Sequence, residues 1–205
     1  MEDKNFNPAE SLNLIESMIK QAKSAEKNNG LGWILWGWLL FTATVSHYIA
    51  IQMKWEYRQY IWPVFGIAAI LLMFYSFAGN RIFNKQAKVK TYTGQLLSKV
   101  SLAFFVSLFV MVYGNARTGV EHDGINFGYL QILYAFWMFI FAAAFRFNLF
   151  YWGAAFNWIG AMVIFYFKEK LGAEILLVHA ACVTLGYLIP GHIAYSRFYK
   201  NDEQK

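Results

Sequence analysis

Charge is what this 205-residue sequence has least of. Only 15% of its residues are Asp, Glu, Lys or Arg, against about 25% in an ordinary soluble domain. The shortage is concentrated in six stretches, 28–53, 59–80, 100–116, 124–145, 147–167 and 175–196, that contain none of the four. No Asp or Glu therefore stands inside an apolar run, which argues against ion- or proton-coupled transport built on an intramembrane carboxylate. Glu174, at the edge of the last run, comes nearest. Cysteine is almost absent too: the lone Cys182 excludes an intramolecular disulfide framework. The chain has three prolines, and only Pro190 lies deep in an apolar run. Catalytic signatures are missing: no His-Glu-x-x-His, no Gly-x-Ser-x-Gly, no phosphate-binding glycine loop and no CxxC. The first 30 residues carry scattered charges without an apolar core, so a cleaved signal peptide is not expected.

What is present is apolar and aromatic: 58% hydrophobic, 20% Phe, Trp or Tyr, with a mean hydropathy of +0.34. The charge-free runs are close to the roughly 17–25 residues that carry an α-helix across a bilayer. The sequence predicts an all-α polytopic membrane protein, a bundle of six transmembrane helices at about 31–53, 60–79, 98–115, 127–145, 147–167 and 175–196. A tail, 197–205, follows. Residues 1–30 are expected to hold a cytoplasmic amphipathic helix. Asn7-Pro8-Ala9-Glu10 suits a helix start, Leu12, Ile15, Met18, Ile19 and Ala22 recur at helical spacing, and Asn28-Asn29-Gly30 is a stop. Trp33, Trp36 and Trp38 open the first span as interface aromatics.

The basic residues give the spans an orientation. With the N-terminus cytoplasmic, Lys54, Arg58, Arg117, Lys168 and Lys170 fall outside and the other 13 of the 18 Lys and Arg inside, so both termini are placed in the cytoplasm. The net charge of +6 is thus a topology signal that needs no nucleic acid. Arg81, Lys85, Lys88 and Lys90 form the most basic segment and could contact anionic lipid headgroups.

Polar side chains inside the runs are the candidates for function, because burying them in lipid is expensive. His47 and His179 should lie at similar depth in the outer half of the bundle, with Asn157 and Gln131 in the same half. These four are the candidate ligand-binding residues. Cys182 shares a helical face with His179, so His47, His179 and Cys182 could bind a metal, or the two histidines a haem. The plainer reading is that the histidines bond between helices as polar glue; no cofactor is expected. Glu121-His122-Asp123 reads as a solvated loop, and His192 as a structural histidine or a pH sensor. Pro190-Gly191 should kink or unwind the last span. Gly153 with Asn157, and Gly186 with Pro190, have the four-residue spacing of close helix packing.

Three spans end alike, in Asn80-Arg81-Ile82-Phe83-Asn84, Phe145-Arg146-Phe147-Asn148 and Ser196-Arg197-Phe198-Tyr199. Tandem hairpins would produce this, and so would the ordinary preference for Arg and aromatics at a membrane boundary.

The run Glu10-Ser11-Leu12-Asn13-Leu14-Ile15-Glu16-Ser17-Met18-Ile19, with Lys27-Asn28-Asn29-Gly30 and the Trp-rich first span, resembles small uncharacterised multi-pass inner-membrane proteins of Bacteroidota. The resemblance covers mainly the first 50 residues. It implies a bacterial inner-membrane location and transfers no catalytic residue. The sequence therefore suggests a non-enzymatic membrane protein that binds lipid, a small ligand, a protein partner or itself. The alternatives are a small transporter or channel, and a haem- or metal-binding protein.

Overall fold

A computed structural model describes residues 30–82, 92–118 and 124–203. The expected N-terminal amphipathic helix, the basic residues Lys85, Lys88 and Lys90, and Glu121-His122-Asp123 lie outside these, as does the side chain of Arg81. The described residues are helical nearly throughout, with no strand among them. Helix α1 spans Leu31–Gln52. A short 3-10 helix, Glu56–Tyr60, leads into α2, Ile61–Ile82. Then come α3, Tyr92–Thr118, α4, Ile125–Phe145, and α5, Asn148–Leu171. After a 3-10 turn at Gly172–Glu174, α6, Ile175–Val183, passes through a π-helical turn, Thr184–Leu188, into α7, Ile189–Glu203.

Among the described residues, five helical stretches are long and apolar enough to cross a membrane; the last of them, 148–197, is 50 residues long and doubles back at Gly172. Gly172 takes φ 45° and ψ −124°, a backbone conformation open in practice to glycine alone. On either side of it Gly160 faces Cys182 and Gly153 faces Gly186, so α5 and α6 run antiparallel.

The junction at Arg146 has no glycine, yet it turns within two residues. Arg146 adopts a left-handed conformation (φ 52°, ψ 42°), Phe147 is extended, and the Phe147 N–H reaches back to the Ala142 carbonyl. A non-glycine residue held there costs on the order of 1 kcal/mol. The α4–α5 packing, the most extensive between any two elements, compensates for it.

Four helical columns make the core: α1, α4, α5 and α6–α7. Helices α2 and α3 are peripheral, α2 lying against α1 and α3 against α4. Only 6% of the apolar stretch 56–74, which takes in the first part of α2, and 11% of that in α3 are buried, against 39% in α4 and 50% in 148–197. Contact between the first and last spans is direct: α1 runs antiparallel to α6–α7, with Gly37 against Tyr187 and Leu188, and Gly30 against Gly191.

One end of the core is closed by aromatics. Trp33 lies 4.3 Å from Phe150, 4.7 Å from Phe141 and 5.2 Å from Tyr187, centroid to centroid. Trp33 is thus a buried core residue rather than an interface aromatic, whereas Trp38 is exposed. At the same end the Arg197 guanidinium lies 5.7 Å from the centre of the Phe147 ring, a cation–π contact between two of the three repeated Arg-aromatic span ends.

The last span distorts where the proline requires it, one turn earlier than expected. Pro190 has no N–H for the Gly186 carbonyl, and its ring crowds that carbonyl. The chain widens over Thr184–Leu188, and the Ile189 N–H bonds to the Thr184 carbonyl five residues back.

Candidate functional site, a polar cluster between α4, α5 and α6

Four polar or charged-type side chains are buried among the described residues: Thr44, Gln131, Asn157 and His179, each 0% exposed. Thr44 is satisfied within its own helix, bonding to the Leu40 carbonyl at 2.7 Å. The other three come from α4, α5 and α6 and sit close together.

Gln131 and His179 are joined by a 3.1 Å hydrogen bond between Nε2 and Nδ1. Their helices face each other across a layer in which Phe127 and Tyr134 ring the imidazole, at 5.0 and 6.0 Å between centroids. The space beside the pair exists because α5 offers Gly160: a methyl there would overlap the Cys182 sulfur and come within 3.9 Å of Gln131 Nε2.

One turn along, Asn157 donates to its own helix at Gly153 O, 2.8 Å, and lies 3.6 Å from the Met138 sulfur. It packs against Gly186, where an added methyl would sit 2.5 Å from the Asn157 amide nitrogen. The two sequence pairs, Gly153 with Asn157 and Gly186 with Pro190, thus belong to one helix crossing. Next along α6–α7, on the π-helical turn itself, is Tyr187, 1% exposed and 5.6 Å from Tyr134 between centroids.

Four atoms in this region are buried and find no hydrogen-bond partner among the described residues: Gln131 Oε1, His179 Nε2, Asn157 Oδ1 and Tyr187 Oη. Each such group costs about 1–3 kcal/mol. Together they are the least settled part of an otherwise tightly packed interior.

His47 does not join them. The α1/α6–α7 register that sets Gly37 against Tyr187 and Leu188, and Gly191 against Trp33 and Ile34, extended along both helices, places His179 level with Val45 and Ser46, within a turn of His47. The expected depth is therefore close, but the direction differs. His47 is half-buried and its Nδ1 accepts a hydrogen bond from Trp62 Nε1 of α2. Trp62 and Phe127 form a relay of rings between the histidines, with centroid steps of 6.1, 5.5 and 5.0 Å.

Nor do His47, His179 and Cys182 converge as a ligand set. The Cys182 thiol points to the Phe156 carbonyl at 3.5 Å. Among the described residues no group of three or more His, Cys, Asp or Glu is placed to hold a metal ion. His192 is occupied locally, its Nδ1 bonding to the Leu188 carbonyl at 2.8 Å.

A separate apolar groove of about 500 Å³ opens between α3, α4 and α5, lined by residues including Ser107, Met111, Ile132, Phe136 and Trp158. None of the polar cluster lines it.

Tyr187 is the member of the cluster that sequence reasoning missed. In a chain with 13 tyrosines its residue type carries no signal. Its place three residues before Pro190, on the turn a proline must disturb, was the available clue. The chain matches no protein-family model, and no curated protein or solved structure is significantly similar to it.

Proposed function

We propose that the chain is a six-span protein of the bacterial inner membrane, with both termini cytoplasmic, that binds a small molecule at the Gln131–His179–Asn157 cluster and catalyses no reaction. The six-span reading takes 148–197 as two crossings. The 24 residues of α5 reach about 36 Å at 1.5 Å per residue, and 175–197 about 34 Å, each enough for a bilayer core.

The observation that carries the binding reading is the set of buried, unpartnered polar atoms on side chains drawn from three helices. Polar glue alone would pair such groups. The test is thermal unfolding in lipid nanodiscs against a panel of small polar and amphiphilic molecules. A ligand at about 100 times its Kd adds about 2.7 kcal/mol of stability. That gain should vanish in the double variant Gln131→Leu/His179→Leu, and binders that stabilise the variant equally would place the site elsewhere.

A second reading, passage of a solute through the bundle, draws on the way Asn157 and Tyr187 continue the unpartnered atoms along α5 and α6–α7 from the Gln131–His179 pair. Uptake by proteoliposomes that Asn157→Leu abolishes would favour it, and tight liposomes with bound ligand would favour binding alone.

Neither reading calls on a metal or haem. The purified protein is expected to be colourless, and a Soret band removed by His179→Leu would turn the assignment to haem. Anionic lipid headgroups are assigned, by charge alone, to Arg81, Lys85, Lys88 and Lys90 on the cytoplasmic side. The outward faces of α2 and α3 are assigned to lipid or to a second protein. Nucleic acid has no part in this reading.

A further inference from the structure

We infer that the cluster takes a neutral molecule carrying both hydrogen-bond donors and acceptors, water being the smallest of that class, and that the wide turn at Thr184–Leu188 is the joint that admits it. This rests on the binding reading above and adds the ligand's chemistry and its route.

The chemistry follows from counting protons. When the Gln131 amide donates to His179 Nδ1, the imidazole proton sits on Nε2. Nε2 is then an unpaired donor and Gln131 Oε1 an unpaired acceptor. Reversing the amide exchanges these roles and still leaves one of each. Asn157 Oδ1 adds an acceptor, and the Tyr187 hydroxyl serves as either. None of these groups is a fixed charge, and the runs that supply them, 124–145, 147–167 and 175–196, contain no Asp, Glu, Lys or Arg. An ion here would be desolvated without a counter-charge, whereas a neutral hydrogen-bonding molecule meets complementary groups.

The route follows from packing. Gln131, Asn157 and His179 are 0% exposed and Tyr187 1%, so nothing reaches them unless helices part. The place where α6–α7 is not bound by regular hydrogen bonds is Thr184–Leu188, because Pro190 gives Gly186 no N–H. That turn carries Tyr187 and also Gly186, the residue packed on Asn157. A shift of this turn therefore moves one member of the cluster and uncovers another. Wide turns of this kind are common at functional sites in helices.

Cys182, the chain's single cysteine, packs beside Gly160 and reports on access without any introduced label. The full-length protein in nanodiscs is treated with methyl methanethiosulfonate, which is neutral, or with its trimethylammonium counterpart. Each rate is divided by that in denaturing detergent. The neutral reagent should modify Cys182 at least tenfold faster than the cation on this scale, and Pro190→Ala, which restores the missing N–H, should slow it at least tenfold.

Equal rates for the two reagents would overturn the neutral selectivity. Complete protection from both would overturn admission, and an unchanged rate in a folded Pro190→Ala protein would overturn the joint. If Pro190→Ala does not fold, Gln131→Leu/His179→Leu serves instead: it removes the groups that draw a polar molecule in, so the neutral reagent should again slow tenfold, and an unchanged rate refutes the proposal. A ligand whose stabilisation depends on Gln131 and His179, found with an unaltered Pro190→Ala labelling rate, leaves the binding reading standing and removes the inference. The expected labelling pattern without any such ligand supports the inference for water and removes the binding reading.

Discussion

Single atoms decide the behaviour of this interior. Gln131 and His179 satisfy one another only at Nε2 and Nδ1, so truncating either leaves the other unpaired at a cost of about 1–3 kcal/mol. His179→Ala and Gln131→Ala should each lower the unfolding temperature, whereas Gln131→Leu/His179→Leu, which removes both polar groups and keeps volume, should be close to neutral. Thermal melts of the three variants check this, and a double variant less stable than either single one would contradict it. His179, Gln131 and Asn157 were legible in the sequence because a polar side chain in a charge-free run is costly and so informative. The facing of His47 was not: position along a helix gives depth, but its direction depends on which neighbour packs there, and Trp62 of α2 took it.

At the level of elements, glycine sets how closely α5 and α6–α7 approach. A methyl on Gly153 would stand 3.0 Å from the Gly186 Cα, backbone that cannot step aside. Gly153→Ala should therefore destabilise by about 1–3 kcal/mol, the usual range for overpacking. Gly160→Ala overlaps only the Cys182 sulfur, and with that sulfur gone the next atom is Cys182 Cβ at 3.7 Å. Adding Cys182→Ala should then recover most of the loss, a coupling that a double-mutant cycle measures. Additive effects would mean the two residues do not meet. Both small-residue pairs were visible as spacing, but that they face one another emerges only from the hairpin at Gly172. The proline distortion was legible too, and its displacement to 184–188 follows because proline withholds the bond that closes the preceding turn.

At the scale of the whole molecule, the charge-free runs are helices, a form that satisfies its own backbone groups under an apolar surface and therefore fits a membrane. Which helices form the core was not legible. Lipid-facing and buried faces are equally apolar in a membrane protein, so α2 and α3 read no differently from α4 and α5 although they lie at the periphery. The orientation remains a matter of charge. Reporter fusions after Lys205 should be active in the cytoplasm and an insertion in the 54–58 loop should be reached from outside, and the opposite pattern would reverse the bundle without altering the site.

The central claim, that the polar cluster receives a hydrogen-bonding molecule, is most directly tested by solid-state NMR of the protein in lipid with 15N in its histidine rings. Four histidines make the spectrum assignable, with His179→Leu identifying the signals of interest. His179 is expected to be neutral, with magnetisation passing between its Nε2 and water or ligand protons, whether Nε2 carries the ring proton or accepts one from the bound molecule. An Nε2 signal that exchanges with neither, in protein kept hydrated in its bilayer, would contradict the account and leave the pair as internal glue.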